Sequence, residues 1–304
     1  MILPEHRWPG AAKVWLEAER LGFDHAWTYD HLMWRWLRDE TWFASVPTLA
    51  AAAAVTSRIR LGTMVAAPGF RHPVLFAKEL MALDDISDGR LIGGVGAGAG
   101  GYDDQALGAV ALPPRDRASR FAEFVELTDL LLCGHVDAYE GEHFTARDVR
   151  MRPGCVQMPR VPLAIAATGP RGMRLAARHA DIWITAGEPG VFEPRPVERT
   201  LPLLKKQVAA LDEACEAEGR DPTAVDRVVL TGAMVDGLLD SADAFMHAEG
   251  LLGEIGFTDL VVHWPREDFP YRGRREVLEE IAAAVLSGAN VPPSWPAGPS
   301  PEAL

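Results

Sequence analysis

Short apolar runs alternate with amphipathic stretches along almost the whole chain, and this rhythm limits the possible folds more than any other feature. Apolar runs at 25–29, 59–65, 91–95, 163–167, 182–185, 228–231 and 260–263 read as strands, with a brief eighth candidate at 1–3. They lack the strict polar alternation of half-exposed strands, so both of their faces are expected to be covered. Helical periodicity fills the intervals 11–21, 42–55, 74–83, 118–132, 172–180, 196–218, 242–255 and 274–286. In the first of these, Val14, Trp15, Ala18 and Leu21 share a face, and Gly22 follows as a stop signal. Strand and helix in turn predict an α/β fold, a (β/α)8 TIM barrel, with polar residues at the strand ends forming the site.

Residues 134–160 break the rhythm. Residues 136–139, Glu140-Gly141 and 142–144 read as a hairpin, expected as an insertion over the barrel mouth. Residues 1–288 are thus expected to form one barrel domain, with 289–304 as a proline-rich tail. A chain of 304 residues suits a single barrel with an insertion. The rival two-domain dinucleotide fold needs an acidic residue ending the strand after the glycine run, and that position falls in helical sequence instead.

Composition excludes several partners. A net charge of -13 argues against nucleic acid. No apolar run is long enough to span a bilayer, and the first residues have no basic-then-apolar signal pattern, so a cytoplasmic protein is expected. Cys133, Cys155 and Cys215 match no metal or redox spacing. No HxH or HExxH pattern supports a metal centre, and no GxSxG elbow supports a serine nucleophile.

The strand ends carry the candidates. Thr168, Gly169, Pro170, Arg171 and Gly172 join a strand to a helix whose first amides would face an anion. The same spacing also makes a plain tight turn with solvated arginines. Asp30-His31 follows the 25–29 strand: His31 suits proton transfer, and Asp30 could set its tautomer or contact a ring. A capping aspartate beside an exposed loop histidine reads equally from these residues. Trp34, Trp36 and Trp42 could wall a pocket, with Trp264 after the last strand. The run from Gly96 through Ala97 and Gly98 to Gly101 leaves backbone bare for a flat ring, or serves as a connector.

Together, Trp27-Thr28-Tyr29-Asp30-His31, Arg58-Ile59-Arg60-Leu61-Gly62-Thr63-Met64-Val65, Arg71-His72-Pro73, Asp88-Gly89-Arg90-Leu91, Gly94-Val95-Gly96-Ala97-Gly98 and Ala180-Asp181-Ile182-Trp183 resemble the luciferase-like oxidoreductases, and among them the coenzyme F420 branch. The resemblance covers roughly residues 10–190. It implies a deazaflavin over Thr63, Met64 and Val65 with a non-proline cis peptide at Met64-Val65. It places Gly96, Ala97 and Gly98 along ring and ribityl chain, Asp30 near the ring edge, and the phosphate at Thr168–Gly172. His31 becomes the proton donor in hydride transfer to a C=C or C=N bond of a small organic substrate. The sugar-phosphate dehydrogenases of this branch have a glutamate where this chain runs Gly-Ala-Gly-Ala-Gly-Gly, so sugar phosphate is a poor expectation. The alternatives are an FMN-dependent monooxygenase served by a separate reductase and a non-catalytic cofactor-binding barrel. A homodimer is implied by resemblance only.

Overall fold

A computed structural model describes residues 1–98 and 101–286; Ala99, Gly100 and the expected 289–304 tail lie outside the described residues. The fold is α/β with parallel strands, and the chain divides into two compact units. Among the described residues, one comprises 4–19 and 24–164, the other 1–3, 20–23 and 165–286.

In the first unit, α1 (Trp8–Leu21) leads to β1 (His25–Thr28), α2 (Ser45–Val55), β2 (Arg60–Thr63), α3 (Pro73–Ser87), β3 (Leu91–Gly96), α4 (Tyr102–Ala106) and α5 (Pro114–Leu132). β1 pairs in parallel with β2, Trp27 opposite Gly62, and β2 in parallel with β3. Trp15, Trp27, Phe76, Leu80, Phe124, Leu61 and Ile92 are fully buried. The Phe76 and Phe124 rings meet at 5.7 Å and join α3 to α5. Two strand glycines are fixed by space. A Cβ at Gly62 would stand 2.5 Å from the Trp27 ring, and one at Gly94 only 1.8 Å from the Thr63 carbonyl oxygen.

The hairpin is present as antiparallel β4 (Val136–Glu140) and β5 (Thr145–Val149). Its second strand starts later than the expected 142–144. The reason is Glu123 on α5, whose carboxylate accepts the amides of Glu142, His143 and Phe144 at 2.8, 2.9 and 3.2 Å. Amides held by a side chain are not free to join the ladder. Glu123, Glu142 and His143 bring ligand-type atoms within 4.8 Å of one another, but the Glu123 oxygens already serve these amides.

Residues 134–160, expected over the barrel mouth, make their contacts along α3 and α5. Phe144 packs edge-on against Phe124 and His72, Lys78 donates to the Arg150 carbonyl at 2.5 Å, and Asp84 accepts the Val156 and Gln157 amides at 2.7 and 3.0 Å. The Gln157 side chain donates to Leu91 O at 2.8 Å, beside the first residue of β3. The segment therefore lies along α3 and α5, drawn there by the apolar and acidic groups those helices present.

The first unit ends within β6 (Leu163–Ala166), and the second unit holds β7 (Ile182–Thr185), β8 (Asp226–Leu230) and β9 (Asp259–Val261), adjacent in that order and parallel. Between and after them stand α6 (Pro170–His179), α7 (Val197–Ala217), α8 (Ala242–Glu254) and α9 (Arg275–Val285). Trp183 is buried, stacks on Phe257 at 5.9 Å and donates to Ala167 O at 2.8 Å.

The eighth strand expected at 1–3 does not form. Met1, Ile2 and Leu3 are buried, and Met1 lies beside the end of β9: its nitrogen donates to Val262 O at 2.5 Å and Trp264 N donates to Met1 O at 2.8 Å. One residue bonded on both sides is too little to make a ladder. The helix expected from 42 begins only at Ser45, because the Trp42 indole donates to His31 O at 2.8 Å and the Phe43 amide to Pro4 O at 2.8 Å. The short helix α4 lies just past the glycine run, in a stretch to which the sequence reading assigned no element.

Candidate active site

The first unit builds its site at the ends of β1, β2 and β3. Beyond Thr63 the chain makes a bulge. Met64 N donates to Thr28 O at 2.9 Å, Met64-Val65 is a cis peptide bond, and pairing resumes at Ala66, which donates to Gly94 O and accepts from Gly96 N, both at 2.8 Å. The bulge therefore sits beside β3 where its side chains are absent or smallest. Thr63 serves the main chain: its hydroxyl donates to Gly94 O at 2.7 Å and accepts Gly94 N at 3.1 Å.

Past β1, Asp30 is buried and held on both oxygens. Arg71 reaches it through Nε and Nη2 at 2.6 and 2.8 Å, and the Ser45 hydroxyl donates at 2.5 Å. Arg71 continues to Glu79 at 2.6 Å. Burial raises the Glu79 carboxyl; Arg71 opposes the rise and the Asp30 charge adds to it. Asp30 thus anchors the start of α2 and the approach to α3 through one buried guanidinium. Neither Arg71 nor Ser45 was singled out from sequence as an Asp30 partner, although Arg71 stood in a motif read there.

The carboxylate that meets His31 is a different one. Nδ1 of His31 lies 2.6 Å from Asp103 Oδ2, and the Leu32 amide donates to Asp103 Oδ1 at 2.8 Å. Asp103 is in the first turn of α4. Burial would raise its carboxyl, but the hydrogen bond and charge of His31 and the amides of Leu32 and Met33 outweigh that and hold it below the usual aspartate range. Sequence reading missed Asp103, although a pair of acidic residues just past a glycine run is the usual signature of a helix start.

His31, Asp103 and Asp104 line a cavity of about 430 Å³ together with Met33, Trp34, Arg35, Trp36, Gly69, Phe70, Gly98, Gly101 and Tyr102. Tyr29 stacks on Trp34 at 5.3 Å, and Trp36 meets Trp34 edge-on at 5.4 Å. Trp42 stacks on Trp34 at 6.5 Å but is not among the cavity's lining residues. Gly101 has φ +137° and would carry a Cβ into open space. His31, Trp34, Trp36 and Gly98 are thereby brought together; Thr63, Met64, Val65, Gly96, Ala97 and residues 134–160 are not among the lining residues.

In the second unit, Thr168 and Gly169 precede α6, with Gly169 as its N-cap and Pro170 as its first residue. A Cβ at Gly169 would meet nothing within 4 Å, whereas one at Gly172 would come within 3.0 Å of Ala167 Cβ. The turn is tight inside and open outside, with Arg171 exposed on it. Trp264 carries the Arg275 guanidinium over its ring at 5.3 Å. Its neighbour His263 stacks on Tyr271, and burial holds that imidazole well below its ordinary range, leaving it neutral.

The candidate site of the first unit thus joins an imidazole to bare glycine backbone past its parallel strands. Residues 3–258 match the luciferase-like monooxygenase family, and the chain belongs to that family. It is 31% identical over 314 aligned residues to the F420-dependent glucose-6-phosphate dehydrogenase of Beutenbergia cavernae, covering 88% of this chain and 91% of that one. Its fold is similar to that of the coenzyme F420-dependent tetrahydromethanopterin reductase of Methanopyrus kandleri, with a TM-score of 0.72 at 19% identity over 93% and 96% of the two chains. A monooxygenase of Streptomyces bottropensis is also similar, with a TM-score of 0.72 at 23% identity over 92% and 93%. No helix among the described residues is long and apolar enough to cross a membrane.

Proposed function

We propose that this chain is an F420-dependent oxidoreductase that reduces a C=C or C=N bond of a small organic substrate held against His31. The observation that carries the reading is one imidazole at the edge of a cavity walled by tryptophans and open glycine backbone. The F420-dependent relative, aligned over nearly the whole chain, supports the choice of cofactor. The site also fits a flat ring, because Gly98 and Gly101 leave its wall free of side chains.

When bound, reduced F420 supplies a hydride. The protein's tasks are orientation and one proton. Trp34, Trp36, Phe70 and Tyr102 exclude water and press a planar substrate body. His31 gives the proton that completes reduction. Met64, Val65, Gly96, Ala97 and Gly98 are assigned to the ring and its chain by resemblance, and Asp30 to the ring edge. The Thr168–Gly172 turn, with its open Gly169 and the first amides of α6, is assigned to a phosphate. His31 and Arg35 are the cavity's basic side chains among the described residues, set against Asp103 and Asp104. A neutral substrate suits that balance better than a sugar phosphate.

Titration of the purified protein with F420 and with FMN tests the cofactor. F420 is expected to bind at least about tenfold more tightly, a difference of about 1.4 kcal/mol. Tighter FMN binding would turn the reading to the FMN-dependent monooxygenase, the second possibility kept open by the Streptomyces bottropensis fold. His31→Ala is expected to keep F420 binding and lose turnover about 100-fold or more; full activity would remove the proton role. A homodimer is proposed on resemblance, and light scattering in solution checks it against the 33.1 kDa chain mass.

A further inference from the structure

Asp103 and His31 are 72 residues apart in sequence and meet at the cavity wall. The two oxygens of Asp103 do different things. Oδ1 accepts the Leu32 amide, and Oδ2 faces Nδ1 of His31. An ionised carboxylate has acceptors only, so the hydrogen in the second contact must come from the imidazole. We propose that Asp103 is a positioning residue for proton transfer, holding Nδ1–H of His31 so that Nε2 is the atom through which His31 exchanges its proton with a substrate in the cavity. Asp103 stays ionised at neutral pH, as its lowered carboxyl requires. The side chains of His31 and Asp103 are 33% and 19% exposed, so the pair is open to a cavity ligand without being fully hydrated.

The proton step balances simply. His31 begins as the imidazolium, with Nδ1–H on Asp103 and Nε2–H towards the cavity. With bound F420 as the source of the hydride for one substrate atom, Nε2 of His31 would release its proton to the other. Histidine becomes neutral in the Nδ1–H form that Asp103 already holds, and solvent returns the proton. The carboxylate never takes the proton. It keeps the ring from turning. This role rests on the oxidoreductase reading above; the hydrogen-bond assignment does not.

Asp103→Asn separates positioning from loop support. An amide cannot accept at both ends. If its oxygen keeps the Leu32 amide, its nitrogen donates to Nδ1 and drives the proton to Nε2. Nitrogen-15 NMR of the cofactor-free, histidine-labelled protein reads this directly, with His31→Gln identifying the resonances. Wild type is expected to show neutral His31 protonated on Nδ1, and Asp103→Asn to show it protonated on Nε2. Ethoxyformylation of His31 by diethyl pyrocarbonate, followed by mass spectrometry, gives a second readout. Loss of the free Nε2 lone pair is expected to slow it by about tenfold in Asp103→Asn. Unchanged ring-nitrogen shifts, or an unchanged acylation rate, would overturn the proposal. F420 titration of the same proteins keeps the two readings apart. If wild type shows the Nδ1–H form but does not bind F420, the oxidoreductase reading falls and the pairing stands.

Discussion

Removing the Asp30 carboxylate would leave the half-buried Arg71 guanidinium with Glu79 as its one ionic partner among the contacts described here. A buried charge stripped of its partner is costly, so Asp30→Ala is expected to lower stability by about 3 kcal/mol in denaturant unfolding. A loss below about 1 kcal/mol would mean that Glu79 alone compensates Arg71. Asp103 makes a different prediction, because its carboxyl is held low in the folded state. In the acid window below about pH 4 the unfolded chain binds the proton first, so stability rises with pH there. The contribution is present above the ordinary aspartate range and is lost as pH falls through the folded value. Asp103→Asn should therefore flatten the acid limb of a stability–pH curve; an unchanged limb would mean the carboxylate is not held low. None of these partners could be read locally. His31 was legible as a titratable group at a strand end, whereas its partner comes from a helix that sequence reading passed over.

At the scale of elements, turn chemistry and crowding set the boundaries. A Cβ at Gly94 would run into the Thr63 carbonyl, a backbone atom that cannot step aside. Gly94→Ala is expected to cost more than about 3 kcal/mol and to appear as loss of soluble protein, while Gly169→Ala, with open space around it, should be nearly neutral to folding. In the hairpin's turn, one side chain accepts three amides. Glu123→Ala would strand three turn amides and is expected to cost about 1–3 kcal/mol, with faster hydrogen exchange at Glu142, His143 and Phe144. Unchanged protection at those amides would show that the turn needs no side chain. Most helices and strands lie within a few residues of where periodicity puts them, because burial of one face is written into the local pattern. The exceptions, at 1–3, 42–44 and 142–144, are places where a distant group claims the backbone hydrogen bonds.

For the whole molecule, cofactor binding acts on stability as well. A ligand that binds only the folded chain adds about 2.7 kcal/mol at one hundred times its dissociation constant. F420 at that excess is expected to raise the melting temperature, and an equal excess of FMN should do so only if FMN binds the same protein. The sequence by itself determined the βα rhythm, the strand ends that carry His31 and Thr168–Gly172, and the glycines beside the Met64-Val65 bulge. Each of these follows from local periodicity, turn residues or a run of motifs in order. Tertiary structure alone decided that Asp103 rather than Asp30 meets His31, that Asp30 is bound to Arg71 and Ser45, and that residues 134–160 lie along α3 and α5. Those choices depend on which side chains meet after tens of residues of chain have folded between them, and no local pattern encodes that distance.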